Sequence, residues 1–319
     1  MEELYIGVDL GGTKILAGIF DSDHHCLASE KTKTNQEEGY DAVCGQIVET
    51  IRSAAELAGI DPAKVNGAGI GAPGSISSDE SHVLFAPNLG WRDAPLKADL
   101  EAQLGCPVWL GNDCNVAATG IHRLELEAKP NDMVSLFLGT GIGAGIITNG
   151  VFLTGATRAA GEVGHMVLDP DGPLCGCGTR GCFEALASRT AIFKKVKAAV
   201  KDGRKTLLMD NGGNSLTKIR SGKLRRAIEA GDELAAAVLG ETCLYTGVAI
   251  ANLCNLLNPE VVALGGGLIE QLQADMLPKI RDVALERIMP GARQVRIMAT
   301  ALGDDAGITG AAILAHDHT

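Results

Sequence analysis

Short apolar runs and one amphipathic stretch dominate the pattern of hydrophobic and polar positions along the chain. Leu4–Leu10, Val65–Ile70 and Val261–Leu264 are largely apolar and lead into glycines, as is typical of buried strands that end in turns. Glu37–Ala58 instead repeats apolar residues every four positions from Val43 onwards, which predicts an amphipathic helix. Because strand and helix signals alternate, the pattern predicts an α/β fold.

Two predicted strand pairs share one design, a hairpin with a glycine-rich tip. Leu4–Leu10 and Ile15–Phe20 flank the first tip, and Met133–Leu138 and Gly145–Thr148 flank the second. The remaining predicted elements are strands at Pro107–Leu110 and Val295–Ala299 and helices at Asn115–Thr119, Thr190–Lys201, Ala227–Leu257 and Ala306–Ala315. The repeated design predicts two related α/β halves with a cleft between them, where ligands usually bind.

Composition and charge exclude several classes of protein. A hydrophobic share of 46% excludes an intrinsically disordered chain, and a net charge of −11 without a dense basic cluster argues against nucleic-acid binding. The uncharged stretch Met133–Thr157 is long enough to cross a bilayer. It is rich in Gly, Ser, Thr and Asn and alternates like strands, so we expect no membrane span. The acidic start Met1–Tyr5 lacks the basic region of a signal peptide, so we expect a cytoplasmic protein.

Glycine is the outlier of the composition, with 41 of 319 residues, and three glycine-rich loops follow predicted strands. These are Asp9–Lys14, Leu138–Gly145 and Gly265–Gly267. Glycine lets backbone N–H groups approach phosphate oxygens. Each loop alone is better explained as an ordinary tight turn, and it is the occurrence of three after strands that favours a ligand. Asp9 adds a carboxylate of the kind that Mg²⁺ prefers. The Gly69–Gly74 segment matches G-x-G-x-x-G but leads into a turn-like serine-rich segment, so it does not predict a dinucleotide fold.

One cluster of cysteines and histidine has the composition of a metal site. His165, Cys175, Cys177 and Cys182 supply one imidazole and three thiolates, which is a complete tetrahedral set for zinc. Four protein ligands leave no open position, so this zinc would be structural. The alternatives are free buried cysteines or a redox pair, although no C-x-x-C motif is present.

Carboxylates beside these motifs are candidates for substrate chemistry. Asp113 follows a predicted strand and precedes a predicted helix, so it is either a helix N-cap or a general base, and Asn112 beside it could hydrogen-bond the same substrate. Glu162 and Glu184 flank the cysteine–histidine cluster, where they are either solvated surface groups or part of a site that the metal loop orders.

Together these segments resemble the ROK family of sugar kinases over essentially the whole chain. The segments are Asp9-Leu10-Gly11-Gly12-Thr13-Lys14, Gly71-Ala72-Pro73-Gly74, Ala86-Pro87-Asn88-Leu89-Gly90-Trp91, Asn112-Asp113-Cys114-Asn115, Leu138-Gly139-Thr140-Gly141-Ile142-Gly143, Gly161-Glu162-Val163-Gly164-His165-Met166 and Cys175–Glu184. The last two are highly specific as a pair. Cys114, where the family usually has Ala, and Thr157-Arg158, where smaller residues are common, are modest departures.

The resemblance implies the actin-like ATPase (ribonuclease H-like) fold, an α/β architecture of two lobes with ATP and sugar in a central cleft. Residues 1–115 would form the N-terminal lobe, to which a C-terminal helix at about 303–319 returns. Residues 116–302 would form the C-terminal lobe, which contains the zinc loop 165–182.

The resemblance also implies roles for individual residues. Asp113 corresponds to the catalytic base for the 6-hydroxyl of a hexose. The positions that match the family's sugar contacts are Asn88, Asn112, Asp113, Glu162, His165 and Glu184. Those that match its ATP and Mg²⁺ site are Asp9, Gly11, Gly12, Thr13, Lys14, Gly139, Thr140, Gly141, Gly143, Gly265, Gly266 and Gly267. His165 would serve twice, with one ring nitrogen on the structural zinc and the other towards the sugar.

Several functions stay open within this resemblance. The glucokinase branch is the most similar, but sister branches phosphorylate N-acetylmannosamine, N-acetylglucosamine, mannose, fructose or allose, and some relatives accept polyphosphate. A sugar-sensing repressor of the same family would carry a helix-turn-helix before the first glycine loop, and the Asp9 loop comes too early for one. A catalytically silent scaffold is disfavoured by the presence of Asp9 and Asp113. Relatives are commonly dimers, so we expect a homodimer.

Overall fold

A computed structural model describes residues 3–209, 216 and 218–319, which form two compact units. The first unit holds the described residues up to Lys129 together with Phe152–Ala160 and Asp304–Thr319. The second unit holds Pro130–Val151 and the described residues of Gly161–Gly303. The first unit thus continues beyond residue 115 and includes a short segment that follows the second hairpin.

Thirteen strands and nine helices occur in the described part of the chain. The strands are β1 (Leu4–Leu10), β2 (Lys14–Asp21), β3 (Cys26–Lys33), β4 (Gly67–Ala72), β5 (Ser75–Ile76), β6 (Val83–Ala86), β7 (Trp91–Ala94), β8 (Val108–Asn112), β9 (Met133–Leu138), β10 (Ile142–Thr148), β11 (Val151–Phe152), β12 (Val261–Gly265) and β13 (Arg296–Ala299). The helices are α1 (Tyr40–Ala58), α2 (Leu96–Leu104), α3 (Asp113–Gly120), α4 (Phe183–Ala187), α5 (Arg189–Lys201), α6 (Ser221–Glu229), α7 (Glu233–Leu257), α8 (Gly267–Arg287) and α9 (Asp305–His318).

Two five-stranded sheets share one topology. The first has the order β3-β2-β1-β4-β8, and the second has the order β11-β10-β9-β12-β13. In each, an antiparallel hairpin with a glycine-rich tip is followed by strands that run parallel to its first strand. The predicted repetition of the hairpin is therefore confirmed. Two sheets of this strand order are those of the actin-like ATPase (ribonuclease H-like) α/β fold, which the resemblance implies.

The first sheet is covered on both faces because its strands are apolar on both. Ile6, Val8 and Leu10 belong to the core cluster that includes the buried face of α1, and the alternate residue Tyr5 packs with Ile308 of α9. Glycines bring α9 unusually close to the sheet. A Cβ on Gly7 would lie 1.9 Å from the carbonyl oxygen of Ile308, so no larger residue fits there. This packing fixes the start of α9 beside the end of β1.

Two features of the second unit differ from the sequence predictions. The prediction of a single helix over Ala227–Leu257 is wrong, because the chain turns at Gly231, which has a φ of 82°. Asp232 then caps α7 by accepting a hydrogen bond from Ala235 N at 3.0 Å. Helix α8, with Pro278 inside it, was not predicted at all. Helix α8 begins within a run of glycines, and glycines are more typical of turns than of helices, so the sequence pattern does not indicate where this helix begins.

One helix of the described residues, α7, is long and apolar enough to cross a membrane. Of its most apolar 18-residue window, 61% is buried inside the protein. It packs against α4, α5, α6 and α8 of the same unit. The uncharged stretch Met133–Thr157, by contrast, forms β9, β10 and β11 and the segment after them, as its alternating pattern predicts.

Candidate active site

The first glycine loop is a tight turn at the end of β1, and Asp9 precedes it. Gly11 N donates to Lys14 O at 2.8 Å, which closes the turn, and the hydroxyl of Thr34 donates to Gly11 O at 2.7 Å. Lys14 Nζ lies 3.6 Å from Asp9 Oδ2 and 2.5 Å from Asp304 Oδ1. Burial raises the pKa of Asp9, and the charge of Lys14 opposes that shift. The loop therefore presents a carboxylate and an ammonium group side by side.

Asp113 lies at the same edge of the sheet as Asp9. The register of the parallel strands aligns Asp9 with Gly71 and Gly71 with Gly111, and Asp113 follows two residues later. A Cβ on Gly71 would lie 3.5 Å from the Cα of Asp113. The carboxyl ends of β1, β4 and β8 thus bring both carboxylates to one end of the first unit.

Asn112, and not Asp113, is the N-cap of α3. Asn112 Oδ1 accepts hydrogen bonds from Cys114 N at 3.0 Å and Asn115 N at 3.2 Å. Its amide nitrogen donates to Gly74 O at 3.1 Å and ties the cap to the turn after β4. Asp113 is the first residue inside the helix, and its Oδ1 accepts from Cys114 N at 2.8 Å. The N-cap position is therefore Asn112, and Asp113 adds a second acceptor within the first turn of α3.

Asn88 lies at the tip of the β6–β7 hairpin and contacts the first glycine loop. A Cβ on Gly12 would lie 3.3 Å from Asn88 Cβ. With the Gln36 amide oriented to satisfy its hydrogen bonds, its nitrogen donates to Gly12 O at 2.9 Å and to Asn88 O at 2.6 Å. Gln36 therefore fastens Asn88 to the loop. The sequence analysis missed Gln36, since one glutamine in a polar segment carries no recognisable signal.

The second glycine loop, between β9 and β10, is held by the start of α5. Gly139 N donates to Gly141 O at 2.9 Å within the loop. Arg189 N donates to Gly139 O at 2.9 Å, and the hydroxyl of Thr190 donates to Thr140 O at 2.7 Å. These bonds fix the carbonyl groups of the loop towards α5. The side chain of Arg189 also donates to the hydroxyl of Thr140, a contact that the sequence analysis missed.

Glu184 connects the cysteine loop to the second glycine loop. Its Oε2 accepts a hydrogen bond from Ile142 N at 2.9 Å, and its Oε1 lies 4.0 Å from Cys175 Sγ. A Cβ on Gly141 would lie 2.3 Å from Oε2, so glycine is needed at that position. Glu184 is thus a packed and bonded group, which the solvated-surface alternative does not explain.

The third glycine loop packs against the second hairpin. Gly266 has φ of 85°, and a Cβ there would lie 2.7 Å from Leu138 O, so both its conformation and its space require glycine. Gly265 ends β12, and Gly267 begins α8. The loops at Gly139–Gly143 and Gly265–Gly267 are therefore neighbours within the second unit.

Glu162 and His165 flank a short turn that is pressed against β10. A Cβ on Gly164 would lie 2.2 Å from Ile142 O, which explains the glycine of the Gly-Glu-Val-Gly-His motif. Glu162 Oε2 lies 4.0 Å from His165 Nε2, and the two side chains are 66% and 39% exposed. The other ring nitrogen, Nδ1, lies 3.7 Å from Cys175 Sγ. His165 therefore faces the cysteines with one nitrogen and Glu162 with the other.

The four predicted metal ligands lie together. One ligand atom each from His165, Cys175, Cys177 and Cys182 lies within 4.8 Å of the other three. Cys177 Sγ and Cys182 Sγ are 3.6 Å apart. Gly181, with φ of 71°, reverses the chain directly before Cys182, where a Cβ would overlap Asp169 O at 1.5 Å.

This cluster fits a tetrahedral zinc ion. A Zn–S distance of about 2.3 Å in a tetrahedral site separates two sulfurs by roughly 3.8 Å, which is close to the observed sulfur–sulfur and sulfur–nitrogen distances. Burial raises the pKa of the Cys182 thiol to about 12, whereas the N–H of Thr179 lowers the pKa of Cys177 to about 7. A bound cation would stabilise the buried thiolate that burial alone disfavours. The donor set, its spacing and its partial burial are those of a structural zinc site.

The sequence-predicted residues thus fall into two groups. The first unit brings together Asp9, Gly11, Gly12, Thr13, Lys14, Asn88, Asn112 and Asp113. The second unit brings together Gly139, Thr140, Gly141, Gly143, Glu162, His165, Glu184, Gly265, Gly266, Gly267 and the three cysteines.

Comparisons with known proteins agree on one family. The ROK family model matches residues 5–318. A glucokinase from Thermotoga maritima is 36% identical over 309 residues, which are 96% of this chain and 95% of its own. The crystal structure of a ROK family glucokinase from Streptomyces griseus in complex with glucose and AMPPNP has a TM-score of 0.86 at 35% identity, and the match covers 98% of this chain and 99% of that chain.

A regulator is among the more distant relatives. A xylose repressor from Caldicellulosiruptor bescii is 30% identical over 284 residues, which are 88% of this chain but 70% of the repressor. The match to the family model over nearly every residue, and to the two glucokinases over nearly their whole length, means that this chain belongs to the ROK family.

Proposed function

We propose that this protein transfers the γ-phosphoryl group of ATP to the 6-hydroxyl of a hexose, with glucose as the preferred sugar and Asp113 as the general base. One observation carries the proposal: the parallel register of β1, β4 and β8 brings the carboxylates of Asp9 and Asp113 to the same edge of one sheet. The sugar is proposed from the relatives, two of which are named glucokinases.

In the proposed mechanism the chain positions groups and stabilises charge. Asp113 accepts the proton of the 6-hydroxyl as that oxygen attacks the γ-phosphorus, while the bond from the γ-phosphorus to the β,γ-bridging oxygen breaks and ADP leaves. The start of α3 favours the ionised form of Asp113. The N–H groups of the three glycine loops donate to phosphate oxygens. Asp9 is placed to hold Mg²⁺, which neutralises phosphate charge when it is bound. Lys14, beside Asp9, adds a second positive charge at the same loop.

The sugar is proposed to contact Asn88, Asn112, Glu162, His165 and Glu184. His165 supports this role because Nδ1 faces the cysteines, which leaves Nε2 and the neighbouring Glu162 as the polar groups on the exposed side. A zinc ion held by Nδ1 would fix the tautomer so that Nε2 carries the hydrogen and donates. We further propose a cytoplasmic homodimer that binds no nucleic acid, consistent with the net charge of −11.

A coupled ADP-release assay with MgATP tests the proposal. It would compare glucose, mannose, fructose, N-acetylglucosamine and N-acetylmannosamine, with polyphosphate as an alternative donor. We expect glucose to dominate. We expect Asp113→Asn to lower kcat by about 10²–10⁴-fold while glucose still binds in a calorimetric titration. If an N-acetylhexosamine gives the highest rate of ADP release, the substrate is that of a sister branch of the family and glucose is excluded as the preferred sugar.

A sugar-responsive regulator is the second candidate, favoured by the similarity to the xylose repressor. If the protein binds a sugar but none of the tested sugars leads to ADP release from ATP, the regulator is supported and the kinase proposal is overturned. The presence of both Asp9 and Asp113 at one sheet edge favours the kinase, since a regulator that only binds sugar needs no carboxylate for Mg²⁺.

A further inference from the structure

Two polar side chains of the second unit, Ser221 and Arg189, lie beside Gly267, the first residue of α8. Of the residues that the structure describes, apart from its chain neighbours and the backbone of its own helix, two contribute an atom within 4 Å of where a Cβ on Gly267 would be: Ser221 Oγ lies at 3.8 Å and Arg189 Nη1 at 3.9 Å. The other terminal nitrogen of Arg189 donates to the hydroxyl of Thr140 in the second glycine loop. One guanidinium group therefore spans from the second loop to the third.

Arg189 is a half-buried cation without an acidic partner among the described residues. No carboxylate of residues 3–209, 216 and 218–319 lies within ion-pair distance of it, and its strongest charged neighbour is another cation, Arg220. Burial and the charge of Arg220 both lower the pKa of Arg189. A partly desolvated cation that also feels the charge of a second cation favours an anion as its neighbour.

Two further groups at this place lack hydrogen-bond partners that an anion would supply. Ser221 is 5% exposed, and its hydroxyl has no partner among the described residues. Helix α8 begins after Gly266 with no side-chain cap, so its first N–H groups have no cap acceptor. The first-turn acid of α8, Glu270, lies on another side, with Oε1 3.9 Å from where a Cβ on Gly303 would be. A buried hydroxyl and an uncapped helix start both point to a negatively charged ligand.

We propose that Arg189, with Arg220 and Ser221, binds the phosphate chain of the donor nucleotide between the second and third glycine loops. This inference rests on the proposed kinase function and adds side-chain recognition of the donor to the backbone N–H groups of the loops. Arg189 binds non-bridging phosphate oxygens with the nitrogen that faces Gly267, while Thr140 holds the other nitrogen. Ser221 donates to the same group of oxygens.

The test is a calorimetric series with adenosine, AMP, ADP and ATP, run with Mg²⁺ on the full chain as wild type, Arg189→Met and Arg189→Lys. Met removes the charge and keeps a long apolar side chain. We expect Arg189→Met to lower the affinity for ADP and ATP about 10–100-fold and to leave the affinity for adenosine within about twofold of the wild-type value. Arg189→Lys restores part of the loss, because the charge returns without the planar fork.

Each outcome separates this inference from the proposed function. If the affinities for adenosine and for ADP fall equally in Arg189→Met, then Arg189 only positions the loop that contains Thr140, and the inference is overturned. The same holds if ADP binds as in the wild type. If the wild type binds no adenine nucleotide at all, the kinase proposal itself fails. The glucose affinity, which the inference expects to be unchanged in Arg189→Met, monitors the fold of every variant.

Discussion

Glu184 Oε2 accepts a hydrogen bond from Ile142 N at 2.9 Å, and this bond joins the cysteine loop to the second glycine loop. Glu184 lies two residues after Cys182, a predicted zinc ligand, and Ile142 begins β10 directly after the loop tip. Order in the metal loop is therefore transmitted to the loop that we propose binds phosphate. A structural metal would in this way support the chemistry without touching the substrate.

Loss of the metal should disturb more than local stability. We expect Cys182→Ser to abolish zinc binding, to lower Tm, and to raise the KM for both ATP and sugar, since Glu184 and His165 lose their support. The checks are zinc content by elemental analysis and two-substrate kinetics. Cys26→Ser is the matched control, because Cys26 is exposed and lies outside the cluster. Wild-type protein that binds no zinc would contradict this account.

The contact between Gly141 and Glu184 can be measured by a double-mutant cycle. A Cβ at position 141 would lie 2.3 Å from Glu184 Oε2, so Gly141→Ala should lower the free energy of unfolding by about 1–3 kcal/mol. In a Glu184→Ala background the same substitution should have little effect, because the obstructing oxygen is gone. Chemical denaturation of the four proteins gives the coupling. Gly139→Ala, whose Cβ would meet only Gly141 O at 3.9 Å, is the control.

Asp9 should oppose stability at neutral pH. Burial raises the pKa of Asp9 above the unfolded value of 3.8, so between pH 3.8 and the folded pKa the folded protein binds more protons than the unfolded chain does. Stability is therefore lost over that window, and Asp9→Asn avoids the loss. We expect Asp9→Asn to be more stable than wild type at pH 7, without nucleotide or Mg²⁺, and inactive. The stability difference should shrink as the pH falls towards 4, measured by urea unfolding. A less stable variant at pH 7 would mean that pairing with Lys14 outweighs burial.

The N-cap role of Asn112 can be tested by comparing a substitution that removes the capping oxygen with one that keeps it. Asn112→Ala removes the acceptor of two backbone N–H groups and should lower the free energy of unfolding by about 1 kcal/mol, besides raising the KM for sugar. Asn112→Asp keeps a capping oxygen and should retain the stability. Thermal unfolding and sugar kinetics of the two variants check this. Equal stability of both would show that the cap contributes nothing.

The close packing of α9 on the first sheet predicts an unequal response of two glycines. Gly7→Ala should lower the free energy of unfolding by about 3 kcal/mol, since its Cβ would lie 1.9 Å from Ile308 O. Gly45 lies in α1, and no described atom outside the backbone of its own helix lies within 4 Å of where its Cβ would be, so Gly45→Ala should raise that free energy by up to about 1 kcal/mol. Denaturation of both proteins is the measurement. A tolerated Gly7→Ala would mean that α9 moves away from the sheet readily.

Elements that local chemistry controls could be predicted from the sequence. Strands β1, β9 and β12 lie close to where apolar runs predict them, because burial on both faces leaves an uninterrupted hydrophobic signal. The ligand set His165, Cys175, Cys177 and Cys182 was readable, since metal coordination restricts residue type and spacing. The family followed from motifs that combine such restrictions.

Contacts between residues that are distant in the chain could be established from the folded structure alone. The sequence left open whether Asp113 is the N-cap of α3 or a general base, and the structure shows that Asn112 is the N-cap, through its bonds from Cys114 N and Asn115 N. It gave no sign of Gln36 or of α8, because a single amide and a helix that begins with glycines resemble loop composition. Arg189 reaches Thr140 only because α5 packs beside the β9–β10 hairpin. Contacts between residues far apart in the chain depend on packing geometry, and no local pattern of hydrophobic and polar residues encodes it.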